Sequence, residues 1–273
     1  MWEHVYTYSS PSPAFDDASS RGSSASGTRN SWPRKDFRKL GRRRKPQPRH
    51  PQRVLLRLRR PQWRGKTTTL NMATGLLTPD QGTAYVNGID VWKDDSAARA
   101  QLGVIPDGMR LLDRLSGPDF LVHVGMLRGL DRETARQRAH QLLDTLDLTD
   151  AGKKLISDYS AVMTKKISLA AALIHAPYLL VLDEPFEAVD PVSAANIRQI
   201  LQDFTSRGGT VILSSHVMAT VQQLCTHVAV INHGQVLASG TTEEVAAGMS
   251  LDERFAQLVG GVHTSEGLSW LAN

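Results

Sequence analysis

The 273-residue chain contains a single cysteine, Cys225, and lacks any long hydrophobic run. A membrane-spanning helix needs about 18–20 consecutive apolar residues, so the sequence predicts no span. One cysteine excludes a disulfide framework and indicates a reducing compartment. The first residues, MWEHVYTYSSPSP, lack the basic end and the apolar stretch of a secretory signal. These absences argue against a secreted or integral-membrane protein.

Acidic residues are scarce near the start of the chain. Residues 1–64 hold 16 Lys and Arg against 4 Asp and Glu, a net charge of +12, whereas the other 209 residues hold 16 against 23, a net charge of −7. The first 64 residues are rich in Ser, Pro and Arg without strand or helix periodicity, which predicts a disordered leader. A basic arm can bind nucleic acid or an anionic membrane. An unstructured tail is the simpler interpretation, and the acidic body indicates no specific nucleic acid.

After residue 65, short apolar runs alternate with helical patterns. YLLVLDEP (178–185) and TVILSSH (210–216) are typical of buried parallel strands. PVSAANIRQILQDFTSRGG (191–209) predicts a helix that glycines stop. This alternation predicts an α/β fold with a mostly parallel sheet.

Two further patterns interrupt that alternation. Asn87-Gly88 within TAYVNGIDVW predicts a β-hairpin. Residues 117–128 and 132–147 have the spacing of amphipathic helices. We therefore predict an inserted α-helical subdomain over about residues 107–175.

The stretch GKTTTL (65–70) opens a predicted helix, so that backbone N–H groups and a helix N-terminus face a possible phosphate. Lys66 can reach the β- and γ-phosphates, and the Thr67 hydroxyl can hold Mg²⁺. Gly65, Lys66, Thr67 and Thr68 are therefore candidate phosphate-binding residues. The tripeptide alone would also suit an exposed lysine at a helix start.

The strand LLVLDE (179–184) ends in two carboxylates, at the edge of the sheet where α/β proteins bind ligands. Asp183 can hold a Mg²⁺ that bridges phosphates. Glu184, beside the metal, can act as the general base for an attacking water. The alternative is a strand that ends in two solvated acids.

Six features in one order resemble the nucleotide-binding subunit of ABC transporters, in the branch that serves multidrug and antibiotic exporters. They are GKTTTL (65–70), LGVIPDG (102–108), YSAVM (159–163), LLVLDEP (179–185), EAVDP (187–191) and His216 after TVILSS. The resemblance covers about 197 residues, from Gly65 to Gly261. It implies a P-loop NTPase core with a helical subdomain and a C-terminal tail over residues 262–273.

The resemblance also implies how such a chain works. Two subunits form a homodimer around two ATP molecules, with Lys66 of one subunit facing the signature segment of the other. Ser160, helped by helix N-terminal donors from Met163, would contact the γ-phosphate across the interface. His216 would contact it within one subunit, and Asp190 belongs to the D-loop. Without the resemblance, a partly buried core histidine would be the preferred interpretation of His216.

The resemblance implies an integral-membrane permease subunit as the partner. It also implies a cytoplasmic location, with the chain bound to the inner face of the cell membrane.

Two positions and the D-loop segment over residues 187–190 depart from the family pattern. Asp107 replaces the usual glutamine, where its carboxylate can still ligate Mg²⁺ or water, or simply favour a turn before Gly108. Val162 replaces the second glycine of the signature, and a β-branched residue does not easily adopt φ > 0. Asp190 is the sole residue of the usual D-loop that remains, and it could instead serve as a helix N-cap.

The residues before Gly65 depart further. Arg60, Trp63 and Arg64 place side chains where glycines let the backbone wrap a phosphate, which predicts weak or absent ATP binding by the chain as written. One permitted codon choice for Arg60–Gly65, read one base later, encodes Gly-Pro-Asn-Gly-Ala, the family's phosphate loop. No strand is legible in residues 1–64. We hypothesise that this leader is largely a frameshifted translation, genuine or a sequencing error; the alternative is a real basic tail fused to a remodelled loop.

Three functions compete at this stage. The first is an ATP-hydrolysing subunit that powers an exporter. The second is an inactive or regulatory remnant of that family, which the altered loop and signature favour. The third, a nucleic-acid-associated ABC ATPase, is suggested by the basic leader alone.

Overall fold

The computed structural model describes residues 53–58, 66–232 and 235–259, with side chains described for residues 68–232 and 235–259. Its strands are β1 (Arg53–Leu58), β2 (Tyr85–Val86), β3 (Ile89–Asp90), β4 (Leu102–Ile105), β5 (Leu179–Asp183), β6 (Thr210–Ser214), β7 (His227–Asn232) and β8 (Gln235–Thr241). Its α-helices are α1 (Lys66–Ala73), α2 (Asp95–Ala100), α3 (Gly117–Leu127), α4 (Arg132–Thr145), α5 (Ala161–Leu173), α6 (Pro191–Ser206), α7 (Met218–Leu224), α8 (Thr242–Ala246) and α9 (Leu251–Val259).

Six strands form one sheet in the order β4-β5-β6-β1-β7-β8. The first five are mutually parallel, and β8 returns antiparallel to β7. Ile105 lies opposite Leu182, and Asp183 opposite Ser214, so the carboxyl ends of β4, β5 and β6 meet at one edge. Every residue of β5 and β6 is buried, as their continuous apolar runs predict. The predicted α/β fold with a mostly parallel sheet is confirmed.

The expectation that no strand precedes Gly65 is wrong. RVLLRL forms β1 between β6 and β7, with Leu55 opposite Leu213 and Leu58 opposite Ile231. The sequence pattern did not indicate this strand, because arginines at positions 53 and 57 interrupt its apolar run. The strand forms through main-chain pairing with β6 and β7, which are distant in the sequence. Residues 1–52 and 59–65 lie outside the described part of the chain. The prediction of a disordered leader over residues 1–64 is therefore wrong for residues 53–58. Its disorder over the remaining residues and the loss of the family's antiparallel strands stay predictions.

The predicted hairpin is present as β2 and β3. Asn87 and Gly88 connect the strands with φ of 49° and 80°. Two consecutive positive φ values are the signature of a type I′ turn, which Asn-Gly favours.

The helical block comprises α3, α4 and α5. The N-caps Ser116, Asp131 and Ser160 each accept a hydrogen bond from a first-turn N–H, which explains where these helices begin. Within the block the largest fully buried side chains include Leu121, Leu146, Ile167 and Ile174. These side chains belong to the same hydrophobic cluster as the sheet residues Leu180 and Leu182, so the block packs directly onto the sheet.

Among the described residues, none of the helices combines the length and the apolar character that crossing a membrane requires. The one cysteine, Cys225, is buried next to the end of α7.

His175 lies where α5 turns towards β5 and ties the helical block to the base of β4. Its Nε2 is 2.9 Å from the carbonyl oxygen of Leu102, and its buried Nδ1 has no hydrogen-bond partner among the described residues. The pKa of His175 is lowered to about 4, chiefly by burial and then by the positive charges of Arg128 and Arg138, while the hydrogen bond to the Leu102 carbonyl acts in the opposite direction. The folded protein therefore holds this imidazole neutral.

We expect His175 to make the fold sensitive to acid. The unfolded chain protonates an imidazole near pH 6.5 but the folded chain does so only near pH 4, so stability falls as the pH drops between these values. Allowing for screening by water, the loss is about 1–2 kcal/mol. Urea unfolding at pH 7 and pH 5 should show that His175→Gln reduces this loss, while the exposed control His123→Gln does not. Equal losses in both variants would contradict the assignment.

Candidate nucleotide site

The candidate site lies at the carboxyl edge of the sheet. Asp183 ends β5 and is followed by Glu184, while Ser214 ends β6 and His216 follows two residues later. Helix α1, which begins at Lys66, packs against β5. Gly65 and the side chains of Lys66 and Thr67 lie outside the described part of the chain, so their phosphate contacts stay predictions; Thr68, in the first turn of α1, is half-buried.

A serine that was not among the predicted site residues joins the Asp183 carboxylate to the backbone N–H of Glu184. The fully buried Ser214 donates its hydroxyl hydrogen to Asp183, and the same hydroxyl oxygen accepts from the backbone N–H of Glu184 at 3.0 Å. Ser214 thereby fixes both the Asp183 side chain and the peptide that follows it. The one signal in the sequence was that Ser214 is the last residue of a buried strand, TVILS. The structure adds that this strand pairs with β5.

Removing this hydroxyl should destabilise the edge. Ser214→Ala leaves the buried Glu184 N–H and one Asp183 oxygen without that partner, and an unsatisfied buried polar group costs about 1–3 kcal/mol. We expect a loss of this size in the free energy of unfolding measured with urea. Ser206→Ala is the matched control, because the exposed Ser206 hydroxyl bonds a helix carbonyl in α6. A loss no larger than that of the control would contradict the bridging role.

Glu184 and His216 form a polar pair at this edge, in which only the histidine is substantially exposed. A carboxylate oxygen of Glu184 lies 2.9 Å from His216 Nδ1 and also accepts from the His216 backbone N–H at 3.3 Å. The Glu184 side chain is 9% exposed, while that of His216 is 51% exposed. The tautomer with a proton on Nδ1 donates to the carboxylate and leaves Nε2 on the exposed side of the ring. The structure thus brings together the two residues predicted to be catalytic.

The signature residues lie at the start of α5. Ser160 is the N-cap, and its hydroxyl oxygen accepts from the backbone N–H of Met163 at 3.2 Å. Val162 occupies the first helical turn, and it is not among the residues with positive φ. A valine therefore satisfies the local backbone without strain. Contacts of Ser160 and Met163 with ATP stay predictions, because they would involve a second subunit.

The D-loop aspartate caps a helix. Asp190 accepts from the backbone N–H groups of Val192 and Ser193 at the start of α6. The Ser193 N–H, followed by the Ser193 side chain, lowers the pKa of the Asp190 carboxyl. The alternative N-cap role is thus present, and its predicted contact with nucleotide stays a prediction.

Asp107 is exposed in the turn after β4, next to Gly108 with φ of 66°. Since β4 pairs with β5, this turn shares the edge with Asp183. A turn role is evident from the backbone, and its predicted role in binding water or Mg²⁺ stays a prediction.

The donor set at this edge is compatible with Mg²⁺ held together with phosphates. No cluster of three or more metal-ligating side chains occurs in the described part of the chain. Mg²⁺ in phosphate sites commonly takes one or two carboxylates and completes its shell with phosphate oxygens and water. The buried Asp183 carboxylate, held by Ser214, suits that role, and Thr67 would supply a second oxygen.

Comparisons with known proteins agree with this geometry. A family model described as ABC transporter matches residues 64–187. The chain is 32% identical over 203 residues to the linearmycin resistance ATP-binding protein LnrL of Bacillus subtilis, covering 74% of this chain and 65% of that protein. It is 36% identical over 189 residues to the daunorubicin/doxorubicin resistance ATP-binding protein DrrA of Streptomyces peucetius, covering 69% of this chain and 57% of that protein.

Two further comparisons extend over most of the matched protein. The ABC transporter ATP-binding protein NatA of Bacillus subtilis is 34% identical over 182 residues, covering 66% of this chain and 74% of NatA. A solved ATP-binding subunit of an ABC transporter superimposes with a TM-score of 0.71 at 26% identity, covering 77% of this chain and 89% of that chain. The chain spans 57–65% of the length of the two drug-resistance relatives.

Proposed function

Because this chain belongs to the ATP-binding proteins of ABC transporters, we propose that it binds ATP with Mg²⁺ and hydrolyses it to power a membrane exporter. The observation that carries the proposal is the Glu184–His216 pair beside Asp183, at the carboxyl end of β5, the strand that α1 also contacts. The predicted phosphate-binding residues Gly65, Lys66, Thr67 and Thr68 belong to the start of that helix or directly precede it.

The two residues of the pair have distinct tasks in hydrolysis. Glu184 accepts the proton of the attacking water, since its carboxylate is oriented by the His216 ring and by the His216 backbone N–H. With its Nδ1–H donated to the Glu184 carboxylate, His216 would offer its second ring nitrogen, Nε2, to the γ-phosphate. Nε2 is a donor there in the form of the ring that carries a proton on both nitrogens, and such a donor stabilises the developing charge. Bound Mg²⁺, held by Asp183 and Thr67, would neutralise phosphate charge.

We propose two partners for this site. A second copy of the chain would complete each nucleotide site with Ser160 and Met163, while Asp190 lies in the adjoining D-loop. An integral-membrane permease subunit would receive the energy, with the chain held on the inner face of the membrane. The named resistance functions of LnrL and DrrA support an exporter of antibiotic-like compounds.

ATP turnover tests this proposal directly. The purified chain should release phosphate at millimolar ATP when Mg²⁺ is present and stop when Mg²⁺ is chelated. A variant in which residues 60–64 are changed to Gly-Pro-Asn-Gly-Ala, the phosphate loop of the family (the loop-restored chain), should release phosphate at a lower ATP concentration. Absence of Mg²⁺-dependent phosphate release from both proteins would contradict the proposal and favour an inactive or regulatory remnant.

A further inference from the structure

One side chain of the helical block contacts the main chain of the proposed general base. The half-buried Lys165 in α5 donates a hydrogen bond from Nζ to the backbone carbonyl oxygen of Glu184 at 2.8 Å. The two residues are 19 positions apart in sequence, and no motif predicted the contact. It joins the signature helix to the hydrolytic edge within one subunit.

The backbone that Lys165 contacts is in an unusual conformation. Glu184 has φ of 46°, in the left-handed region that non-glycine residues rarely adopt. Such a residue keeps its conformation only where its surroundings hold it. The neighbouring peptide groups are held by Ser214, which accepts from the Glu184 N–H, and by the Glu187 N–H, which donates to the Glu184 carbonyl at 3.2 Å. The lysine adds a charged donor to that same carbonyl.

We propose that Lys165 is a positioning residue that holds Glu184 in the left-handed conformation and so keeps its carboxylate on His216. A hydrogen bond from an ammonium group is stronger than a neutral one, which suits a strained carbonyl. Ser160 begins the helix that carries Lys165, five residues earlier. The Lys165 side chain therefore links the start of α5 directly to the Glu184 carbonyl, so a displacement of the helix would alter this hydrogen bond. The catalytic purpose of this arrangement rests on the proposed ATP hydrolysis.

Amide hydrogen exchange in the nucleotide-free full chain tests the positioning role without catalysis. The reporters are the amides of Glu184, Glu187 and His216. The Glu184 amide donates to the Ser214 hydroxyl, the Glu187 amide to the Glu184 carbonyl and the His216 amide to the Glu184 carboxylate. Lys165→Met should raise their exchange rates about ten-fold, the size expected for loss of one charge-assisted hydrogen bond. Lys165→Arg should keep them near the wild-type rates. Lys154→Met, which removes an exposed lysine from the segment between α4 and α5, should leave them unchanged.

Two results would overturn the role of Lys165. One is unchanged exchange at all three reporters in Lys165→Met. The other is exchange in Lys165→Arg as fast as in the methionine variant, which would mean that the charged donor is irrelevant. If Lys165→Met lowers the thermal midpoint of the whole fold, the exchange rates of Lys165→Arg still test the proposal. Arginine restores a charged donor, so slow exchange in that variant shows that the donor protects the reporters.

Steady-state kinetics separates this proposal from the proposed function. Lys165→Met should lower kcat about ten-fold and change KM for ATP less than about two-fold, because it acts on the base and not on ATP binding. Equal and measurable turnover by wild type and Lys165→Met would overturn the positioning role. If none of the proteins, including the loop-restored chain, hydrolyses ATP while the exchange pattern is as expected, the proposed function fails and the positioning role stands.

Discussion

Four substitutions in the phosphate loop are expected to raise the ATP affinity of this chain by about 100-fold or more. They are Arg60→Gly, Gln62→Asn, Trp63→Gly and Arg64→Ala, which turn RPQWR into GPNGA and keep Pro61. Glycine at positions 60 and 63 permits positive φ and lets backbone N–H groups approach a phosphate closely. As written, arginine supplies positive charge but not that backbone approach. Isothermal titration with Mg²⁺-ATP measures the difference.

The control is Lys66→Ala in both backgrounds. If the restored loop binds phosphate as intended, losing the lysine should remove most of the gain. Arg64→Ala alone should recover little, because Trp63 still occupies the bend. Micromolar ATP binding by the chain as written would contradict the expectation and favour a remodelled but working loop. Reading the gene in the adjacent frame tests the frameshift hypothesis separately.

Glu184→Gln is expected to reduce ATP turnover by about 10²- to 10⁴-fold while ATP affinity changes little. The amide can still accept a hydrogen bond from His216, but it does not take a proton from water. Its shape is nearly that of glutamate, so the fold should persist. Phosphate release and ATP binding are measured on the same preparation, in the loop-restored background if the chain as written turns over too slowly.

Glu187→Gln is the matched control for that experiment. Glu187 is an exposed carboxylate three residues further along the same loop, and its side chain has no role in the proposed chemistry. We expect it to keep turnover close to that of the parent chain. A similar loss in both variants would mean that loop charge, and not a general base at Glu184, controls hydrolysis.

The local sequence was sufficient wherever a structure depends on neighbours along the chain. The Asn87-Gly88 hairpin, the N-cap at Asp190 and the buried strand that ends at Asp183 were all predicted from the sequence. Turn geometry, helix capping and continuous burial are properties of a few adjacent residues. The sequence pattern did not predict that Glu184 pairs with His216. It indicated only that both residues follow buried strands.

The sequence by itself determined the α/β class, the two carboxylates at the end of β5 and the candidate phosphate-binding residues. Tertiary structure alone decided that residues 53–58 form a central strand. It also decided that Ser214 joins Asp183 to Glu184 and that Lys165 holds the Glu184 carbonyl. The physical reason is that these contacts join residues 19 to 31 positions apart or strands far apart in the chain, and a folded sheet brings them together.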